Sequence, residues 1–309
     1  LFLAHQELLL RQAEGAFRAL LATEPPGFSA HTRLSRFVAG RGDLDADLVF
    51  ASVQRLSRAK HLQALAERRF DYVIVDEAHH AHAESYRAVL ARLSGAFLLG
   101  LTATPERADL GDIGELFGPP LFRAGLGTGI DRGLLAPFAY YGVADRVDWR
   151  ALPFRDGDFA PDALDAALRS EARMGPLDEA LKRYEGKRTI FFCASIAHAD
   201  FVRAWLAGRD VSAAAIHSGV EGADPDDALA RLARGELDAV CAVDMLNEGV
   251  DVPAIDRVVL LRPSESWVVF LQQLGRGLRK APGKAQLTVL DFVGNHQVFL
   301  RRLGGLVAS

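Results

Sequence analysis

Asp76 and Glu77 follow the apolar run Tyr72-Val73-Ile74-Val75 and open the tetrad Asp76-Glu77-Ala78-His79. Two carboxylates at the C-terminal end of a buried strand are costly to desolvate unless a cation compensates them, and Mg²⁺ carried on a nucleotide suits that role. Asp76 would then hold the metal through water, while Glu77 orients an attacking water for phosphoryl transfer. His79, His80 and His82 are spaced poorly for one face of a helix and have no cysteine nearby, which argues against zinc. Thr102 and Thr104 follow another apolar run, Ala96–Gly100, and their hydroxyls can reach the Asp–Glu segment on a neighbouring strand. The same Thr-Ala-Thr-Pro stretch also suits a turn into a helix, with Pro105 in the first helical turn, and both readings can hold. Arg276 and Arg279 are three apart, so on a helix they share a face.

Such side chains need stiff elements beneath them. Short apolar runs alternate with Ala/Leu/Arg-rich segments along the chain, the pattern of parallel sheets covered by helices. In the first half, strands are expected near Leu1–Ala4, Leu48–Ala51, Tyr72–Val75 and Ala96–Gly100, with helices near Glu7–Leu21, Arg58–Arg69, Ser85–Ser94 and Leu110–Phe117. The alternation weakens from Gly118 to Lys187, where Gly and Pro recur around a helical piece at Pro161–Arg183. It resumes with strands near Thr189–Cys193, Ser212–Ile216, Ala239–Val243, Arg257–Leu261 and Gln286–Phe292. Helices near Ile196–Leu206, Asp226–Arg234, Ser266–Leu278 and Asn295–Leu303 separate them. The expected organisation is a first α/β lobe over residues 1–135, a connector with a small helical insertion over 136–186, and a second lobe over 187–309.

Composition sets outer limits. The 309 residues are 50% hydrophobic and 25% charged, which suits about two ordinary domains. The apolar runs are strand-length, not membrane-length, and the first residues lack the features of a signal peptide. Without an initiator Met, and opening inside a strand-like run, the sequence is expected to be a fragment whose start has been lost. Cys193 and Cys241 lie in apolar strands, so buried free thiols in a reducing compartment, the cytoplasm, are expected. A formal net charge of −4 argues against nucleic-acid binding by bulk charge, though not against binding through a few placed donors.

Four segments resemble motifs II, III, V and VI of superfamily 2 helicases of the DEAD/DEAH-box type, in that order. They are Asp76–His79, Leu101-Thr102-Ala103-Thr104-Pro105, Asn247-Glu248-Gly249-Val250-Asp251-Val252-Pro253 and Gln272-Gln273-Leu274-Gly275-Arg276-Gly277-Leu278-Arg279. Leu1–His5 is similar to motif Ia, Phe50–Gln54 to motif Ib and Phe191–Ser195 to motif IV, and the Ile216-His217-Ser218-Gly219 turn also has a counterpart. The resemblance implies an α/β fold of two RecA-like lobes with parallel sheets flanked by helices, the first lobe incomplete at its N-terminus. ATP with Mg²⁺ would lie between the lobes, so that Glu77 and Arg279 face each other across the nucleotide. It assigns Asp76 to Mg²⁺, Glu77 to the general base, and Arg276 and Arg279 to the transferred phosphoryl group, with Arg279 the better arginine finger. His79, Thr102, Thr104, Gly249, Asp251 and Gln272 would bind ATP or couple the lobes. His5, Ser52, Gln54, Ser195, His217 and Ser218 would touch a nucleic-acid backbone without reading sequence, DNA being preferred to RNA. Val243 stands where the family often has Thr, so one hydroxyl contact would be absent. A monomeric core, with further domains in the whole protein, is expected.

One departure is serious. No GxxxxGK[ST] stretch occurs, and the glycine-rich Gly125-Leu126-Gly127-Thr128-Gly129 lacks a lysine and lies in the connector. Without that loop the β- and γ-phosphates lose their main cradle, so this chain alone is expected to hydrolyse ATP weakly or not at all. The alternatives are a motor within a restriction or repair nuclease, and a nucleic-acid-binding remnant without ATPase activity.

Overall fold

Apolar runs of strand length become buried parallel strands in both halves of the chain, as continuous Val/Ile/Phe/Ala segments do when both faces of a sheet are covered. The computed structural model describes residues 1–23, 25, 31–38, 41–102, 113–155, 158–243, 254–262, 275 and 277–292. It divides into two units, Leu1–Arg123 and Ala124–Ser309.

The first unit runs β1 (Phe2–Ala4), α1 (Glu7–Leu21), β2 (Leu34–Phe37), β3 (Leu48–Ser52), α2 (Val53–Leu56), α3 (Ala59–Ala66), β4 (Tyr72–Val75), α4 (Glu84–Leu90), β5 (Phe97–Gly100) and α5 (Gly114–Phe117). Its strands form one parallel sheet in the order β2-β3-β1-β4-β5. The period-2 alternation of β4 sends Val73 and Val75 to one core, with Leu3, Ala51, Val53 and Tyr86. Ile74 turns to the other face, against the core of Phe2, Leu10 and Phe50 under α1. The segment Leu34-Ser35-Arg36-Phe37, absent from the expected strands, adds β2 at the sheet edge, where polar residues are tolerated.

The second unit begins with α6 (Leu126–Asp131) and β6 (Phe138–Val143). The hairpin β7 (Phe154–Arg155) and β8 (Asp158–Phe159) follows, then α7 (Pro161–Leu168) and α8 (Glu171–Arg183). It continues through β9 (Thr189–Phe192), α9 (Ile196–Ala207), β10 (Ala213–Ile216), α10 (Pro225–Arg234), β11 (Ala239–Ala242), β12 (Arg257–Leu260) and β13 (Leu287–Phe292). The sheet order is β10-β11-β9-β12-β13-β6, again parallel throughout. Ile190 and Phe192 of β9 enter one core while Phe191 and Cys193 enter the other. Cys193 and Cys241 are both buried and free, and burial pushes the Cys193 thiol well above its ordinary range.

The unit boundary departs from the expected connector over 136–186. That stretch contains β6, which pairs along its whole length with β13. It also contains α8, whose Arg173, Met174, Leu177 and Ala180 are buried. Pro176 lies inside α8 and cannot donate to the Ala172 carbonyl, which instead accepts the Arg146 N–H at 2.8 Å. The stretch is therefore a working part of the second unit. The expected helices near Ser266–Leu278 and Asn295–Leu303 fall largely or wholly outside the described residues. No described helix is long and apolar enough to cross a membrane.

Candidate nucleotide and nucleic-acid site

β4 delivers Asp76 and Glu77 to the C-terminal edge of the first sheet. The Asp76 N–H donates to Leu3 O at 2.9 Å, so the pairing of β4 with β1 extends to the first acid. Glu77 then takes a left-handed backbone, φ 50° and ψ 51°, and a 3₁₀ turn over Ala78–His80 follows. Non-glycine residues pay roughly 1–2 kcal/mol for that conformation. Two sets of contacts hold it. Ala78 is fully buried, and its N–H donates to Leu101 O at 2.8 Å. The Asp76 carboxylate accepts the Glu77 N–H at 3.0 Å.

The turn folds His79 inward. Its ring is 2% exposed, with Nδ1 lying 3.3 Å from Glu77 Oε2 and 3.1 Å from Thr102 Oγ1. The Thr102 hydroxyl thus meets His79, two residues beyond the Asp76–Glu77 segment on which it was expected. Gly100, just before it, leaves room: a Cβ there would lie 3.0 Å from both the Ala78 Cβ and the Phe117 ring.

The nucleic-acid candidates of this unit share the same sheet edge. His5 follows β1, and Ser52 ends β3 in register with Ala4. Ser52 Oγ donates to Gln54 Oε1 at 2.8 Å.

In the second unit, Ser195 caps α9, its Oγ accepting the His198 N–H at 3.1 Å. His217 is buried, with Nε2 3.2 Å from Asp200 Oδ1 and Nδ1 accepting the Gly219 N–H at 3.1 Å. One ring nitrogen is engaged within the turn and the other by Asp200 of α9, and Ser218 is exposed. Arg279 is exposed, and Lys284, which sequence reasoning missed, donates from Nζ to the Arg279 carbonyl at 2.9 Å and to Gly277 O. Partial burial lowers the Lys284 ammonium to about 8. Thr104, Gly249, Asp251, Gln272 and Arg276 lie outside the described residues.

Among the described residues no cluster of three or more His, Cys, Asp or Glu could cage a metal. An acid pair at a strand end fits the other mode, in which Mg²⁺ is held by one or two carboxylates together with substrate phosphates.

Two α/β units, each built on a parallel sheet and the first ending a strand in such an acid turn, define the structural class. Residues 1–107 match the family described as type III restriction enzyme, res subunit, and residues 172–281 match the helicase conserved C-terminal domain. The chain belongs to the superfamily 2 helicases. It is 25% identical over 313 residues to the putative ATP-dependent helicase IRC3 of Saccharomyces cerevisiae, covering 96% of this chain and 44% of that protein. It is 26% identical to the DNA 3'-5' translocase XPB2 of Sulfurisphaera tokodaii, covering 76% of this chain and 61% of that protein. Among solved structures it is similar to a fragment of a putative HsdR subunit of a type I restriction enzyme from Vibrio vulnificus YJ016. There the TM-score is 0.66 and the identity 28%, over 85% of this chain and 50% of that one. The chain therefore spans less than two thirds of the length of these relatives.

Proposed function

We propose that the chain is the motor core of an ATP-dependent helicase or translocase acting on DNA, with Mg²⁺ as cofactor. The observation that carries this reading is the acid turn, where Glu77 is held left-handed at a strand end with its carboxylate beside the buried His79, which also meets Thr102. Asp76 would hold Mg²⁺ through water, and the bound metal would neutralise phosphate charge. Glu77 would orient the attacking water and receive its proton. Arg276 and Arg279 are assigned to the charge that develops on the transferred phosphoryl group, as guanidinium groups suit it. Thr104, Gly249, Asp251 and Gln272 are assigned to nucleotide binding and coupling. His5, Ser52, Gln54, Ser195, His217 and Ser218 are assigned to the nucleic-acid face, with Ser218 the contact and His217 the residue that shapes its turn.

DNA is preferred to RNA because one relative is named a DNA translocase and another a restriction-enzyme subunit. The restriction-like match over residues 1–107 also supports a second reading, a motor working beside a nuclease. No GxxxxGK[ST] loop occurs in the 309 residues, so turnover by this chain alone is proposed to be slow.

The test is binding of a fluorescent ATP analogue with and without Mg²⁺, together with ATP turnover with and without DNA. The reading expects Mg²⁺-dependent affinity that is lost in Asp76→Asn and turnover that falls further in Glu77→Gln. DNA binding with no Mg²⁺-dependent nucleotide affinity would leave a non-enzymatic binding remnant instead.

A further inference from the structure

We propose that His80 is a positioning residue that transmits nucleic-acid contact at His5 to the Glu77–His79–Thr102 site. The proposal rests on the reading above, in which His5 touches the nucleic-acid backbone. Three imidazoles are in series. The His5 and His80 rings meet edge-on with centroids 4.6 Å apart, and the His80 and His79 rings are 4.2 Å apart at an interplanar angle of 44°. His79 ends the series on Glu77 Oε2 and Thr102 Oγ1.

The backbone explains why the rings meet. Leu3 is in register with Val75, so His5, two residues on, leaves β1 alongside the point where the chain turns at Glu77. The left-handed step at Glu77 and the bond from the His80 N–H to Glu77 O, 2.9 Å, fold the turn back toward β1. Ala78 and Ala81 flank the two histidines and are fully buried, so the turn is anchored from beneath. A shift of the loop after β1 is thus passed on through His80, whose ring lies between the other two. Neither a strand-end acid pair nor a base–water geometry requires a second histidine after His79.

The test uses the full chain with ¹⁵N-labelled histidines and a single-stranded oligodeoxynucleotide, with each imidazole signal assigned by single substitution. In the wild-type protein, added oligonucleotide is expected to move the ring resonances of both His5 and His79. In His80→Ala the His5 signal should still respond while the His79 response is lost. In His80→Phe, which keeps a ring in place, the His79 response should persist. A merely structural role for His80 would displace the His79 signal before any DNA is added and leave its response intact. A full His79 response in His80→Ala overturns the proposal. So does a bound oligonucleotide that moves His5 but not His79 in the wild-type chain, a result that needs no variant to fold. Absence of oligonucleotide binding would instead bring down the motor reading on which the proposal rests.

Discussion

Glu77 and His79, two residues apart, meet side chain to side chain because the backbone turns left-handed between strand and 3₁₀ turn, leaving Oε2 3.3 Å from Nδ1. A straight continuation of β4 would send their side chains to the same face but carry them further apart, and His79 would lose Thr102. Strain at the acid is thus the means by which base and histidine are brought together, a pattern met at functional sites.

The strain separates two substitutions at one position. Glu77→Gln keeps both side-chain length and backbone strain, so stability should hold while the slow ATP turnover of the chain falls further, by up to about 10²–10⁴-fold. Glu77→Gly relieves the left-handed conformation and should raise the unfolding free energy of the first unit by up to about 1 kcal/mol, offset by loss of the His79 contact. Turnover should be lost equally in both. Urea denaturation and an ATPase assay read the two effects, and wild-type turnover in Glu77→Gln would remove the base assignment.

Gly100 should be as intolerant of a methyl group as a core position. The added Cβ would press at 3.0 Å on the buried Ala78 Cβ and on the half-buried Phe117 ring. Gly100→Ala is expected to cost about 1–3 kcal/mol by overpacking and to displace the acid turn. A urea midpoint unchanged from wild type would show that Phe117 moves aside freely.

Much of this was visible in residue order, for reasons that also explain what was not. β1, β3, β4 and β9–β13 are apolar runs bounded by turn residues, and the acids stand out because they end such a run. β2 escaped because Ser35 and Arg36 break its apolar pattern at a sheet edge. β6 escaped because it follows a Gly/Pro-rich stretch and its partner, β13, is paired through Leu287↔Phe138, far away in sequence. The places of Asp76 and Glu77 after β4, and of Thr102 after β5, were legible from the apolar runs they follow. The left-handed turn at Glu77 was not, since nothing about Glu favours that conformation. The approach of His5 to His80 and the hold of Lys284 on the Arg279 carbonyl depend on tertiary packing that spacing does not encode.

His198 should give the second unit a pH dependence on the acid side. The ring is fully buried, Nδ1 accepts the Ala194 N–H at 3.2 Å, and Nε2 has no hydrogen-bond partner among the described residues. Burial, helped by Arg173 and Arg169, lowers its pKa from 6.5 to about 3. The unfolded chain therefore takes up a proton below 6.5 that the folded chain refuses until about 3. The stabilisation is whole above 6.5 and is lost as pH falls through that window, with a limiting slope of about 1.4 kcal/mol per pH unit. His198→Asn should flatten the fall in urea midpoint between those limits. Equal slopes in variant and wild type would mean that the ring protonates in place.

Arg173 and Asp145 offer the sharpest test of whether the 136–186 stretch belongs to the second unit. Arg173 is 0% exposed and pairs with Asp145, whose side chain is 2% exposed. Its Nη2 donates to Leu261 O at 2.6 Å, at the end of β12, and the guanidinium carbon lies 5.4 Å from the Trp149 ring and 5.1 Å from the Phe292 ring. Trp149 Nε1 donates to the other Asp145 oxygen at 2.8 Å. Burial pulls the guanidinium pKa down while Asp145 and then Asp291 push it up, and an arginine keeps its charge in either case. Removing one partner strands a buried charge, so Arg173→Met and Asp145→Leu should each cost about 3–5 kcal/mol. The double variant removes both members of the pair, with the buried Asp291 left in place, and should cost less than the sum, giving a favourable coupling energy in a double-mutant cycle. Arg173→Lys should fall between, because an ammonium cannot span Asp145 and the Leu261 carbonyl with a fork of donors. If Arg173→Met unfolds at the wild-type urea concentration, the ion pair contributes nothing to holding α8 against the second sheet.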